Sequence, residues 1–308
     1  MKTEIKFYIK FSTLCFIIFL ILFFLEIKLK DTNNSYKKKN QDFESQLDSI
    51  QILILGSSHS EDDINPAYFD KYTYNASNNS QSIYYDSQIA FKYLNKLIKL
   101  KFVIISLSYF SLGYSLNDEI ENLRITYYSN YWKIYPEKRN NFKLNNYFFC
   151  LSGFGKINLM FKDKSDSNLF NNGFYSNPIV NKKEVLINDT LQGFKRASLH
   201  NSILKNENYL DNVNYLDSLL KILIKKNIVP IIITTPVHYN YYKYLNKYYL
   251  NLNKNIITQL CLKFQCKYYN FMQDKRFEDM DFFNFDHLNY NGAEKFSKIL
   301  NEIIKKDN

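Results

Sequence analysis

A serine near the start of the chain and a histidine near its end are the side chains best suited to chemistry. Ser58 follows the apolar run 50–55 (IQILIL), which stops at Gly56. His287 lies in the segment DFFNFDHLN (281–289), directly before an amphipathic stretch that closes the chain. A serine hydroxyl is a poor nucleophile at neutral pH unless a base such as histidine accepts its proton. The two residues therefore predict acyl transfer through a serine ester.

A catalytic histidine also needs a partner that holds its ring in one tautomer. The candidates are Asp286 directly before it, Asn284 three residues before it and Asp281 six before it. We rank Asp286 first because it is adjacent, although neighbouring side chains in an extended segment diverge. An amide in place of the acid costs a serine protease about 10⁴-fold in rate. Asp286, Asp281 or a backbone carbonyl therefore orients His287, or the protein is a weak or inactive enzyme.

The segments that must position these residues alternate between strand and helix patterns. The predicted strands are 50–55, 74–77, 102–108, 227–235 and 267–271, and the main predicted helices are 82–100, 209–226, 241–263 and 292–304. This alternation predicts a doubly wound parallel sheet in a three-layer α/β/α, flavodoxin-like arrangement. Ligands bind such sheets at the carboxyl ends of the strands, where Ser58 lies.

The pairing of the two segments resembles the SGNH (GDSL-like) hydrolase superfamily, whose first block is Gly-Asp-Ser and whose last is Asp-x-x-His. By that match Ser58 takes the place of the nucleophile and His287 that of the general base, while Asn284 stands where the pattern has aspartate. The resemblance covers roughly residue 50 to the C-terminus, with a poorly matched middle. It implies an SGNH-type fold and a reaction that needs no cofactor.

The resemblance also implies an oxyanion hole built from two further blocks, and the chain departs from both. The second block supplies a glycine amide, but 75–82 (NASNNSQS) contains no glycine; the third has Gly-x-Asn-Asp where this chain has SLSY (106–109). The residues left for these roles are Asn78, Asn79, Ser80, Ser108 and Tyr109. A polar turn and a locally bonded serine are the competing interpretations. His238 ends the fourth strand, so substrate contact or loop structure is expected of it.

The N-terminal segment is apolar enough to cross a membrane. Residues 11–25 (FSTLCFIIFLILFFL) have lysines on both sides, and with part of the flanks they reach the roughly 20 residues that a spanning helix needs. No small-x-small cleavage site follows, which favours an uncleaved anchor over a signal peptide. We expect a membrane anchor at 1–30, a polar juxtamembrane linker at 31–48, and the α/β domain at 49–308 with an insertion at about 115–200.

Composition excludes some functions. The formal net charge of +10 comes from scattered lysines without a basic helix, so nucleic acid is not an expected partner. Abundant Lys, Asn, Ile, Tyr and Phe with few Gly and Pro indicate an AT-rich bacterial genome. The histidines at 59, 200, 238 and 287 lack metal-ligand spacing, and we expect no metal. Cys261 and Cys266 are either a small disulfide or two free thiols at a helix end.

Within the superfamily, the anchor together with GSSH (56–59) and DHLN (286–289) is similar to extracytoplasmic proteins that modify cell-envelope polymers, such as the teichoic-acid D-alanylation and alginate O-acetylation proteins. The resemblance implies a cell-membrane protein with its main domain outside the cytoplasm. It implies an acyl donor, an envelope glycan acceptor and a membrane-bound O-acyltransferase as partner. We expect an O-acyltransferase or esterase. The alternative is an SGNH-like binding or assembly protein whose site has decayed, which the three departures favour.

Overall fold

The computed structural model describes residues 2–118, 123–137, 143–151, 171–176 and 190–306. The chain forms two compact units. One, the anchor unit, comprises Met1–Lys38 and Ile120–Ser165; the other, the sheet unit, comprises Lys39–Glu119 and Asp166–Asn308. The predicted insertion at about 115–200 is thus shared between the two units.

Five parallel strands form the sheet in the order β2-β1-β3-β4-β5. They are β1 Ile52–Gly56, β2 Thr73–Asn75, β3 Phe102–Ser106, β4 Val229–Thr234 and β5 Lys267–Asn270. β1 and β3 are buried along their whole length, as expected of apolar runs in the middle of a parallel sheet. The predicted parallel α/β sheet is confirmed. Each of the five strands begins and ends within two residues of its predicted limits.

Helices flank the sheet. Those of the sheet unit are α3 Ser58–Asp63, α4 Ile83–Tyr93, α6 Thr190–Ser202, α7 Asn206–Lys225, α8 Tyr239–Tyr242, α9 Lys247–Phe264 and α10 Tyr290–Lys306, with 3₁₀ turns at Pro66–Tyr68, Ser111–Gly113, Leu116–Asp118, Asn171–Gly173 and Asp279–Asp281. The single helix predicted over 241–263 was wrong at its start. Asn246 interrupts it because its side chain accepts the Tyr248 N–H (2.9 Å) and caps α9.

The anchor unit contains a long N-terminal helix, α1 Lys2–Asp31, and the short helix α5 Leu123–Tyr127. A π-helical turn, Tyr128–Trp132, and two 3₁₀ turns, Leu144–Asn146 and Phe149–Leu151, complete its described part. Within α1, the segment Thr3–Asp31 is long and apolar enough to be a membrane anchor or a signal sequence.

The predicted juxtamembrane linker at 31–48 is largely helical: α2 runs from Ser35 to Ser45. Phe43 is fully buried against the rings of Tyr74 and Tyr93, with centroids 5.0 Å away in both cases. Lys39 is also buried, and its Nζ lies 2.7 Å from Glu61 Oε1. This helix was not predicted, because the polar composition of the segment concealed its buried side chains, Tyr36, Lys39, Asn40 and Phe43.

Cys261 and Cys266 are free thiols at the end of α9, with their Sγ atoms 3.2 Å apart. This corresponds to the second of the two alternatives that the sequence leaves open.

Candidate active site

Ser58 is the first residue of α3, immediately after β1. The turn depends on Gly56, whose φ of +148° is unfavourable for other residues. A Cβ at this position would lie 2.4 Å from Ser60 Oγ and 2.8 Å from the Ser106 carbonyl oxygen. Glycine therefore allows β1 to end against β3 and the chain to enter α3 with Ser58 at the carboxyl edge of the sheet.

His287 reaches Ser58 from the loop before α10. Its Nε2 lies 3.0 Å from Ser58 Oγ, and both side chains are buried. The loop is held by an antiparallel bridge between Phe282 and Leu288, and the Leu288 N–H donates to Asp63 Oδ1 of α3 (2.7 Å). Contacts of the residues before and after His287 thus hold its ring against Ser58, which lies 229 positions earlier in the chain.

Asn284 fixes the tautomer of His287. Its Oδ1 accepts the backbone N–H groups of Asp286 (3.0 Å) and His287 (2.9 Å), which identifies this atom as the amide oxygen. The same oxygen lies 3.1 Å from His287 Nδ1. Because an amide oxygen can only accept, Nδ1 carries a hydrogen, and in the neutral ring the lone pair of Nε2 faces Ser58.

Asp286, the residue we ranked first, lies beside the same ring nitrogen, with Oδ1 3.3 Å from His287 Nδ1. This separation is an ion-pair contact, and Oδ1 makes no hydrogen bond among the described residues. Its other oxygen, Oδ2, accepts from Arg196 Nε (2.8 Å) and faces His59 Nε2 (3.2 Å). Asn284 therefore makes the orienting hydrogen bond, and Asp286 adds a buried charge.

The charges in this cluster shift its pKa values in opposite directions. Burial alone would lower the pKa of His287, but the carboxylates of Asp286, Asp62 and Asp63 outweigh it and raise that pKa to about 9. Burial alone would raise the pKa of Asp286, but His287, His59 and Arg196 hold it well below its usual range. The pair is therefore most stable as imidazolium and carboxylate.

Two further histidines that the sequence analysis did not assign to the site surround Asp286. Burial, the largest cause in each case, lowers the pKa of His59 to about 4 and that of His200 to about 3, so both are neutral at pH 7. The His59 ring packs edge-on against that of His287, with centroids 5.0 Å apart. His200 Nδ1 lies 2.6 Å from Tyr241 Oη. The position of His59 directly after Ser58 was an available signal; Arg196 and His200 gave none.

Of the oxyanion candidates, Ser108 comes nearest to the nucleophile's turn. Its Oγ lies 2.8 Å from Oγ of Ser57, the residue before Ser58. Asn78 is buried, but its Nδ2 donates to Gln81 Oε1 (3.0 Å), and its Oδ1 has no hydrogen-bond partner in the described part of the chain. Asn79 is exposed and accepts from Ser80 Oγ (3.1 Å).

Three other predicted site residues make their hydrogen bonds or ion pairs away from the Ser58–His287 pair. Tyr109 Oη donates to Asn201 Oδ1 (2.7 Å). His238 caps α8 through Nδ1 and donates from Nε2 to Asp279 Oδ1 (2.9 Å), so it holds loops together. Asp281 pairs with Lys295 Nζ (2.6 Å) and does not orient His287.

A cleft of about 500 Å³ opens beside the cluster. Its lining residues come from α6 and the His287 loop: Gln192, Lys195, Arg196, Leu199, Asn284, Phe285 and Asp286. It therefore adjoins the two residues that support the histidine.

Three side chains of the cluster also have the chemistry of metal ligands. His59, Asp286 and His287 each offer an atom within 4.8 Å of the others. However, Arg196 already occupies Asp286 Oδ2, and both ring nitrogens of His287 are hydrogen-bonded. An ion on Asp286 Oδ2 would displace the Arg196 guanidinium, and an ion on His287 would break its contact with either Asn284 or Ser58, so the donor set fits a hydrogen-bonded network better than a metal site.

The described fold and site define an α/β protein with a buried serine–histidine pair at the edge of a parallel sheet. No protein-family model matches the chain, and no curated protein matches its sequence. A crystal structure of a candidate acylhydrolase from Bacteroides fragilis is similar, with a TM-score of 0.43 and 11% sequence identity over 88% of this chain and 95% of that one. So distant a likeness carries no statement about activity.

Proposed function

We propose that this protein is a serine acyl-transfer enzyme of SGNH type, acting as an esterase or an O-acyltransferase. The observation that carries the proposal is the 3.0 Å contact between Ser58 Oγ and His287 Nε2, with Asn284 holding the tautomer that makes Nε2 the acceptor. A nucleophile, a base and an orienting group in this order are the requirements for activating serine.

In the proposed reaction Ser58 Oγ attacks the carbonyl carbon of an ester, and its proton passes to His287 Nε2. Collapse of the tetrahedral intermediate breaks the bond to the leaving alcohol, which takes the proton from the imidazolium. Ser58 is left as an acyl ester. A second alcohol, or water, then gives its proton to His287 and attacks that ester, which restores Ser58.

Asp286 stabilises the imidazolium formed in each half-reaction, since its carboxylate lies 3.3 Å from Nδ1 and only 1% of the residue is exposed. Because water is excluded, this charge is screened less than it would be at the surface. Ser108 is the nearest candidate for an oxyanion contact, through its place beside Ser57.

We further propose that the enzyme is anchored in the cell membrane by α1, with its main domain outside the cytoplasm, and that it modifies an envelope glycan together with a membrane-bound O-acyltransferase. The length and apolar character of α1 and the motif resemblance support this proposal.

The second candidate is a binding or assembly protein that has lost catalysis. Two observations favour it: the amide nitrogen of Asn78 donates to Gln81, and an amide replaces the triad acid at Asn284. In that case the buried Ser58–His287 contact would be structural.

The test is acylation of the purified full-length chain in detergent by an activated acetyl ester at pH 9, followed by intact-mass spectrometry. We expect one added acetyl group that disappears in Ser58→Ala and persists in Ser57→Ala, a matched change at the neighbouring serine. If a folded sample shows no gain that depends on Ser58 over several acyl donors, the binding-protein candidate is favoured instead.

A further inference from the structure

The described part of the anchor unit exposes large apolar side chains near the base of α1. Leu144, Phe148 and Leu151 are 51%, 40% and 42% exposed. They lie in and between the two 3₁₀ turns Leu144–Asn146 and Phe149–Leu151, and we call them the apolar stripe. Tyr135 (54% exposed) stacks on Tyr147, which stands directly before Phe148 in the sequence. Several large apolar side chains exposed within one short segment indicate an interaction surface.

The turns that carry the stripe are fastened to the last turns of α1. The Cys150 N–H donates to Glu26 Oε2 (2.9 Å), and Lys30 Nζ lies 3.3 Å from Glu26 Oε1. Lys30 also lies 5.8 Å from the centroid of the Phe148 ring. Glu26 is therefore only 7% exposed on a helix whose preceding apolar side chains are mostly exposed.

The inference rests on the proposal that α1 crosses a bilayer. In that case these contacts determine the depth at which the stripe lies. The apolar run 11–25 spans about 22 Å at 1.5 Å per residue, which is less than the roughly 30 Å of a hydrocarbon core. The helix must therefore use its flanks, and Glu26 to Lys30 lie at the boundary with the headgroups. A carboxylate at that depth requires partners, which Lys30 and the Cys150 N–H supply.

We propose that the apolar stripe inserts into the headgroup–acyl boundary of the bilayer that α1 crosses, and that anionic headgroups are favoured there. Exposed aromatic and aliphatic side chains beside lysines are the composition that binds this region. Lys30 and Lys143 adjoin the stripe and supply the attraction to anionic lipid. The bilayer surface is the occupant because the turns that carry the stripe are bonded to Glu26 and lie beside Lys30, in the last turns of the helix that would cross the bilayer.

The experiment uses the full chain reconstituted in vesicles of phosphatidylcholine and phosphatidylglycerol, with lipids brominated close to the headgroup as quenchers. The single native tryptophan, Trp132, is fully buried and gives the baseline. Phe148→Trp and Tyr135→Trp place a reporter in the stripe and at its border. Phe24→Trp, on the exposed surface of α1, is the control for insertion of the helix.

We expect the added emission in Phe148→Trp and Tyr135→Trp to shift to the blue on reconstitution and to be quenched by brominated lipid beyond the Trp132 baseline. Raising the phosphatidylglycerol fraction should increase the quenching. Quenching of Phe24→Trp alone overturns the proposal, because α1 then inserts without the stripe. A blue shift without quenching also overturns it, since protein rather than lipid then covers the stripe. If no position is quenched, α1 does not cross the bilayer, and both the membrane anchor and the insertion of the stripe are refuted.

Discussion

Replacing Asp286 by asparagine separates the charge that acts on His287 from the hydrogen bond that orients it. The substitution keeps the shape of the side chain and leaves the Asn284 contact to Nδ1 intact. It removes the carboxylate 3.3 Å from that nitrogen. The pKa of His287 should then fall from about 9 to its ordinary 6.5 or lower, because burial opposes the charged ring and Asp62, at 4.0 Å, is the nearest charge left.

The magnitude follows from this shift. The difference between about 9 and 6.5 corresponds to about 3 kcal/mol of stabilisation of the imidazolium. A base with a pKa of about 9 is neutral in only about 1% of molecules at pH 7. The proposed enzyme should therefore acylate far more slowly at pH 7 than at the plateau it reaches above pH 9. Asp286→Asn should lower the plateau acylation rate by about 10- to 100-fold, because the imidazolium loses its carboxylate. It should also raise the neutral fraction of His287 at pH 7 by up to about 100-fold. The rate at pH 7 should therefore change by less than about tenfold.

The assay is acylation of Ser58 measured from pH 5 to 10 in the native protein and the variant, together with an NMR titration of the His287 ring that does not depend on turnover. Rates should rise towards pH 9 in the native protein and level off near pH 7 in Asp286→Asn. A uniform loss at every pH with an unchanged His287 titration would refute the assignment of Asp286 as the charge that raises the pKa.

Four further predictions concern orientation and stability. Asn284→Ala should lower acylation by about 10²- to 10⁴-fold at all pH values with little change in the His287 pKa, since the tautomer is lost; an unaltered rate would exclude the orienting role. Lys39→Met leaves Glu61 buried without its partner and should cost about 3–5 kcal/mol in urea unfolding, partly recovered by adding Glu61→Gln; equal stability would contradict this. Gly56→Ala should cost about 3 kcal/mol or abolish folding because of its φ and the nearby Ser60, whereas a normal melting temperature would rule out the close approach. The raised pKa of His287 gives stability that is complete below pH 6.5 and lost as pH rises through about 9, so urea unfolding should weaken over that range and do so much less in Asp286→Asn.

Most of the sheet could be predicted from local pattern. β1 and β3 consist of Ile, Leu, Val and Phe up to their last residue, and such runs are typical of strands buried on both faces of a parallel sheet. The N-terminal helix was evident for the same reason. α2 was missed because two of its four buried side chains, Lys39 and Asn40, are polar, and the lysine-rich segment therefore shows no helical pattern of apolar residues.

The site was predicted only in part, because its members are joined by the fold rather than by spacing. Ser58 and His287 were identifiable as serine and histidine at two turns, and the structure brings them together. Arg196 lies in the insertion, where no local pattern marks it, and only the packing of α6 brings its guanidinium to Asp286. Histidines that seemed scattered along the sequence meet around one carboxylate for the same reason.

The amide at position 284 does not by itself imply a decayed site. In a Ser-His-Asp triad one carboxylate both fixes the tautomer and stabilises the imidazolium. An asparagine fails when its NH₂ group faces Nδ1, because the ring must then present its lone pair there and its hydrogen to the serine. Here two backbone N–H groups hold the amide oxygen towards Nδ1, so the neutral ring has the tautomer that activation of a serine requires. The charge comes from Asp286, directly before His287, which His287, His59 and Arg196 keep ionised within the protein interior. In the proposed enzyme Asn284 thus fixes the tautomer and Asp286 stabilises the imidazolium, two roles that a single aspartate has in the triad. The pH profile of Asp286→Asn measures the contribution of the charge.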